Sequence, residues 1–246
     1  MAIEIHRLGM DGNSPGLYSG LIFSIPNLGR RMVIEAVIFD MDGVLVDSER
    51  FICEAAMRMF AEKGVPARAE DFVPFVGMGE NRYLGGVAEK HGATLDLVKD
   101  KARTYEIYLQ IIRGRLEPLP GVHEFLARCR ELGLKTAVAS SADAVKVRGN
   151  LEEIGLATDA FAVCLNGNDV ERKKPFPDIF ITAAQRMGVD PGHCLVVEDA
   201  VSGVQAAKAA GAKCLALTTS FPAEKLAQAD WISHTLADAP EAATMW

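Results

Sequence analysis

The sequence predicts an α/β fold: a doubly wound parallel sheet with an inserted helical cap domain. Three observations carry this reading. Short apolar runs alternate with stretches of helical periodicity from Val33 onward; several of the helical stretches stop at a glycine; and one gap between strand-like runs is far longer than a crossover needs. The runs Val33–Phe39, Leu134–Ala139, Phe161–Leu165, His193–Val197, Lys213–Leu217 and Asp230–Ser233 read as strands. They are apolar on both faces and rich in Val and Ala, as strands covered by helices on both sides are. Helical periodicity runs through Gly121–Leu132, Ala142–Ile154, Pro177–Met187 and Ala200–Ala210. Gly133, Gly155, Gly188 and Gly211 follow these stretches, where glycine commonly closes a helix.

More than ninety residues separate Phe39 from Leu134, whereas a crossover requires only about a dozen. Within them Ser48–Lys63, Glu80–His91 and Leu95–Arg113 read as helices, so a cap domain is expected over residues 47–116. Pro118-Leu119-Pro120-Gly121 is its return linker, and residues 32–46 and 117–246 make up the core domain. An insert at this place stands over the C-terminal strand ends, where open α/β sheets bind ligands. Residues 1–31 carry scattered Gly and Pro without a period, and Arg30 and Arg31 follow the short run Leu21–Ile25 instead of preceding it. That is not a secretory signal; a loosely attached, disordered N-terminal extension is expected.

Composition narrows the function classes. The chain has 246 residues, 49% hydrophobic and 24% charged, which are ordinary globular values. A net charge of −7 argues against nucleic acid as a partner, and against an anionic membrane surface. No apolar run approaches the roughly 18 residues of a membrane helix. The five cysteines are odd in number and lack any C-x-x-C, which reads as reduced thiols in a cytoplasmic protein. The five histidines are scattered, so zinc is not expected.

The chemistry is concentrated after the strands. Asp40-Met41-Asp42-Gly43-Val44 follows the first, and carboxylates two residues apart beyond a strand end can face one crevice. Gly43 permits the tight turn, although Asp and Gly also make ordinary turns. Ser140 and Ser141 follow the second strand and open a helix, where a hydroxyl and free N–H groups suit a phosphate or simply cap the helix. Lys173-Lys174-Pro175 follows the third, as a phosphate ligand or as solvated lysines. Glu198-Asp199 follows the fourth, where acids also complement a helix dipole. Each alone is ambiguous, but all four fall at one end of one sheet. Two like charges 4 Å apart repel by about 4 kcal/mol at an effective dielectric of 20, so these carboxylates call for a cation. Oxygen-only donors favour Mg²⁺. Asp40 is then available as a nucleophile, since carboxylates form aspartyl-phosphates.

With these residues in this order the chain resembles the haloacid dehalogenase-like superfamily, in its phosphatase and β-phosphoglucomutase-like branch, which has a Rossmann-like core and a small helical cap. The resemblance spans about Val33 to Trp231. It implies that Asp40 is the nucleophile, that Asp42 protonates the leaving alcohol and then activates water, and that Ser140, Ser141 and Lys174 bind the phosphoryl oxygens. Asp40, the Asp42 carbonyl and Asp199 would hold Mg²⁺, with Glu198 supporting that shell. Dehalogenases lack the metal-binding acids, so Asp42 and Asp199 argue against that chemistry. The β-phosphoglucomutases carry a cap Arg and a His where this sequence has Glu80 and Ile52, which weakens a phosphomutase reading. The function expected is hydrolysis of a small phosphorylated metabolite, a sugar phosphate, by a monomer or weak homodimer. A phosphomutase and a non-catalytic binding domain are the alternatives. Gly77, Glu80, Asn81 and Arg82 in the cap are expected to read the leaving group. The stretch Leu84-Gly85-Gly86-Val87-Ala88 also resembles the corresponding domain of plant suppressor-of-quenching proteins, which leaves a plastid setting open.

Overall fold

The computed structural model describes residues 34–77 and 79–246; the expected extension over residues 1–31 lies outside them. Six strands form one parallel sheet: β1 (Ala36–Phe39), β2 (Lys135–Ala139), β3 (Val163–Leu165), β4 (Cys194–Glu198), β5 (Lys213–Leu217) and β6 (Trp231–Ser233). Their order across the sheet is β3-β2-β1-β4-β5-β6. After β3 the chain therefore crosses β1 and continues on its far side. The strand order reverses between β1 and β4, which opens a crevice beyond the carboxyl ends of those two strands.

Side chains alternate across the sheet, as the pleat requires. Val37, Phe39, Val138, Leu195 and Val197 face one core, with α5 (Val122–Glu131) and α6 (Ala144–Glu153). Ala36, Ile38, Ala137, Ala139, Val196 and Cys214 face the other, with α7 (Asp178–Met187) and α8 (Val201–Ala209). Phe39 and Phe125 meet edge to face at 5.9 Å, which ties β1 to α5.

The long stretch between β1 and β2 is helical. It contains α1 (Glu49–Glu62), the single turn α2 (Ala69–Phe72), α3 (Glu80–His91) and α4 (Leu97–Ile112). Helices α1 and α4 pack on each other through Phe51, Ala55, Met59, Tyr108 and Ile111, and Lys63, which caps the C-terminal end of α1, pairs with Asp100 on α4 at 2.8 Å. Polar ties join α4 to the core helix α6: Lys101 to Asp143 at 2.7 Å, and the Tyr108 hydroxyl to the Asn150 side chain. Among the described residues no helix is long and apolar enough to cross a membrane, and all five cysteines are free.

Two boundaries differ from expectation in ways that matter for the site. The strand expected to end at Val197 runs on to Glu198, because the ladder with β5 continues through Glu198 and Ala216. The helix expected from Ala142 begins at Ala144, behind Asp143 at its N-cap, so Ser140 and Ser141 lie in the strand-to-helix turn.

Candidate active site

The crevice beyond β1 and β4 is where the strand-end residues meet. Asp40, the first residue past β1, donates its N–H to the Val197 carbonyl at 3.0 Å, which fixes its backbone to β4. Its carboxylate Oδ1 accepts from Lys174 Nζ at 2.5 Å, and the same ammonium donates to Glu198 Oε1 at 2.5 Å and to the Ala139 carbonyl at 3.3 Å. One lysine thus links the ends of β1, β2 and β4. Lys174 side-chain exposure is 8% and that of Glu198 is 1%, so the bridge is sealed from solvent and its charges interact strongly.

Glu198 is further fixed by its Oε2, which accepts the N–H groups of Asp199 and Ala200 at 2.9 and 3.0 Å. Room for it comes from Gly203 on α8: a Cβ there would lie 1.9 Å from the Glu198 carboxylate. Asp199 packs against the turn after β1. Gly43 takes a left-handed φ of 76°, and a Cβ on it would lie 1.9 Å from Asp199 Oδ2. Gly43→Ala should therefore suffer twice. The left-handed backbone alone costs about 1–2 kcal/mol, and the carboxylate must also move. Gly64 has φ 74° and open space around it, so Gly64→Ala isolates the backbone cost. Urea unfolding of both variants should show Gly43→Ala as clearly the more destabilised; equal losses would mean that Asp199 does not need the space.

The electrostatics are those of too many acids for the cations present. Burial pushes the Asp40 carboxyl well above the usual carboxylate range; Lys174 pulls it back, while Glu198 and Asp42 push it up. Burial likewise raises Asp199, helped by Glu198 and Asp40. Burial alone would lower Lys174, but the carboxylates of Asp40 and Glu198 outweigh it and hold the ammonium charged. Among the described residues no three acidic, His or Cys side chains close on one point as a finished metal sphere.

Asp42 faces the other way from Lys174. Its Oδ2 accepts from Lys146 Nζ at 2.8 Å, and its Oδ1 accepts from the Ser48 hydroxyl. Lys146 comes from α6 and its side chain is only 3% exposed. Neither partner was marked by a strand-end motif. The available signal was a lysine on the apolar stripe of α6, level with Val147, Asn150 and Leu151.

Ser140 and Ser141 line the cavity beside Asp40 and Lys174. Ser140 Oγ accepts the Ala142 N–H at 3.1 Å, and the Ser141 carbonyl lies 3.4 Å from Lys173 Nζ. From the insert, Gly77, Gly79 and Glu80 line the cavity, whose volume is about 810 Å³, whereas Asn81 and Arg82 do not. Arg82 is exposed, pairs with Glu89 at 2.9 Å and stacks over Phe75 at 5.0 Å.

Comparison with known proteins places this geometry. The family model described as haloacid dehalogenase-like hydrolase matches residues 34–211. The chain is 44% identical over 191 residues to the chloroplastic protein SUPPRESSOR OF QUENCHING 1 of Arabidopsis thaliana, a match covering 76% of this chain but only 18% of that much longer protein. It is 34% identical to the phosphorylated carbohydrates phosphatase of Thermotoga maritima, over 72% of this chain and 82% of the relative. Its fold superposes on that of Rhodobacter sphaeroides CbbY in complex with xylulose-(1,5)bisphosphate with a TM-score of 0.78, at 25% identity, covering 87% of this chain and 100% of that one. Sequence motifs, sheet order and family match agree: the chain belongs to the haloacid dehalogenase-like hydrolases.

Proposed function

We propose that the protein is a Mg²⁺-dependent phosphatase that hydrolyses a small phosphorylated metabolite, a sugar phosphate, through an aspartyl-phosphate on Asp40. The observation that carries this reading is the Lys174 ammonium held between Asp40 and Glu198 at the switch point of the sheet. A cation fixed beside a buried carboxylate gives a phosphoryl group both a counter-charge and a nucleophile. Catalysis of phosphoryl transfer is largely such positioning and charge stabilisation.

On this reading Lys174 Nζ and the Ser140 and Ser141 groups bind the phosphoryl oxygens. An Asp40 oxygen attacks phosphorus in line with the ester oxygen, and the P–O bond to the alcohol breaks. Asp42, in its acid form, gives the leaving oxygen its proton. The resulting Asp42 carboxylate takes a proton from water, which attacks phosphorus, releases phosphate and restores Asp40. Ser48 and Lys146 hold Asp42 on the leaving-group side. The helices over residues 47–116 act as a cap that keeps bulk water from the aspartyl-phosphate.

The residues present fit a Mg²⁺ ion. The donors are all oxygens; burial first, and neighbouring carboxylates second, raise Asp40 and Asp199, so a positive charge beside them is favoured; and Gly43 leaves Asp199 space that a side chain would fill. Asp40, Asp199 and the Asp42 carbonyl would hold the ion, with Glu198 supporting them. When bound it supplies positive charge for the phosphoryl oxygens.

The test is phosphate release from a panel of sugar phosphates with Mg²⁺ and with EDTA. Release should require the metal. Because Asp40 and Asp199 must give up protons to bind it, Mg²⁺ should raise the thermal midpoint more at pH 8.5 than at pH 6. Release untouched by EDTA would remove the metal from the scheme, and no release from any ester would favour a binding domain. The net charge of −7 supports a small-molecule substrate over nucleic acid. The likeness to a chloroplastic protein keeps a plastid location beside the cytoplasmic one.

A further inference from the structure

We propose that Lys173 determines specificity at this site: its ammonium takes a second anionic group, phosphate or carboxylate, carried by the alcohol of the phosphate ester. The proposal rests on the phosphatase reading above and adds a rule for the leaving group.

Lys146, Lys173 and Lys174 line the cavity, and two of them are committed to acids. Lys174 lies between Asp40 and Glu198, and Lys146 is buried against Asp42 at 2.8 Å. Lys173 is exposed, and its Nζ contacts the Ser141 carbonyl at 3.4 Å, long for a hydrogen bond. An ammonium carries three donors, and among the described residues no carboxylate accepts from Lys173. Lys173 and Lys174 are neighbours in the chain but diverge. Lys174 Nζ turns to the Asp40 carboxylate and the Ala139 carbonyl, whereas Lys173 Nζ lies against Gly79, at the N-terminus of α3 in the insert. A Cβ on Gly79 would lie 3.2 Å from Lys173 Nζ, and a Cβ on Gly167 3.0 Å from it. Bare backbone on the core and on the insert thus leaves the ammonium its room.

With the phosphoryl group held by Lys174, Ser140 and Ser141, the alcohol extends under the insert, where Gly79 and Lys173 stand. An anionic group there would replace one long contact to a neutral carbonyl with charge-assisted hydrogen bonds, which are roughly twice as strong as neutral ones. Lys173 has no acid partner to give up, so that gain is not offset by breaking an ion pair. A hydroxyl at the same point gains only an ordinary hydrogen bond. The acids nearby leave the ammonium free. The Glu80 carboxyl lies beside the Tyr105 hydroxyl. Burial pushes the carboxyls of Glu80 and Glu49 up, toward the neutral form, and the cation that pulls both back is Lys146.

The experiment compares kcat/KM for two pairs of esters with Mg²⁺ at neutral pH: fructose 1,6-bisphosphate against the better of the two fructose monophosphates, and 6-phosphogluconate against glucose 6-phosphate. The wild type should favour the doubly anionic member about tenfold or more in one pair, and the pair that shows it tells a phosphate from a carboxylate. Lys173→Gln should reduce that preference about tenfold, through a higher KM with kcat nearly unchanged, and should leave the singly anionic esters within about twofold of wild type. Lys173→Arg should keep the preference. A wild type without preference in either pair overturns the rule, and so does a Lys173→Gln variant that keeps the preference or slows all esters alike. If the wild type releases phosphate from none of these esters nor from p-nitrophenyl phosphate, the phosphatase reading fails by itself. Calorimetric titration of the same esters then tests the charge rule alone: tighter binding of a doubly anionic ester that Lys173→Gln abolishes upholds it, and any other result overturns it.

Discussion

Asp40→Asn should abolish phosphate release from every ester, to below about one part in a thousand of the wild-type rate, while leaving the fold intact. Removing the nucleophile of a covalent mechanism typically costs several orders of magnitude, because the remaining groups can bind and polarise the substrate but cannot form the intermediate. Asn preserves the shape of the side chain. Asp40 is 8% exposed, so the substitution also removes a carboxylate whose burial beside Glu198 and Asp199 is unfavourable. Lys174 loses one partner but keeps Glu198 and the Ala139 carbonyl. The thermal midpoint should therefore hold or rise, as is common where a strained site is relieved. Activity is read by phosphate release, and the intermediate by trapping of acid-stable or hydroxylamine-labile phosphate on the protein. Retention of even a few per cent of the rate in a clean preparation would mean that Asp40 is not the nucleophile. Loss of rate together with a collapsed midpoint would mean that Asp40 acts through the fold.

How much of this was readable from the sequence depended on whether the information was local. The strand runs and helix stops are local, since each strand must be apolar on both faces and glycine must follow several helices. The six strands and the four core helices accordingly lie where the pattern puts them, within a few residues. Boundaries moved where tertiary pairing decided them. Glu198 belongs to β4 because Ala216 pairs with it, and α6 starts late behind Asp143, which Lys101 of α4 engages. The turn α2 is four residues long and leaves no periodicity to read. The four strand-end motifs were legible because the sheet order brings strand ends together whatever the loops do. Lys146 was not, because its meeting with Asp42 spans 104 positions and joins the first turn of a helix to a loop. Arg82 shows the same limit. Its charge was visible, but its turn toward Glu89 and Phe75 is set by the packing of the insert.

Lys174→Met should be the most damaging single change to stability in the site. Met fills much the same volume, so the loss isolates the charge. The ammonium lies between Asp40 and Glu198, with side-chain exposures of 12% and 1%, and its removal leaves buried carboxylates without a counter-charge. Breaking one partner out of a buried ion pair typically costs about 3–5 kcal/mol, and for a chain of this size that corresponds to a fall in midpoint of roughly 6–20 °C. The loss should depend on pH in a definite direction. The Asp40 and Asp199 carboxyls are already raised above their unfolded values by burial, and without Lys174 they rise further. Between the unfolded and folded values the native state then holds more protons than the unfolded chain, so stability increases as pH falls through that window. The deficit of Lys174→Met relative to wild type, measured by urea unfolding, should be large at pH 8 and clearly smaller at pH 5.5. A deficit that stays constant with pH would show that the lysine stabilises through the cation–π contact with Phe180, over whose ring its ammonium lies at 4.9 Å, and not by balancing the acids. Mg²⁺ at pH 8 should restore part of the lost stability in the variant, since it answers the same surplus of negative charge, whereas a monovalent salt at equal ionic strength should restore much less.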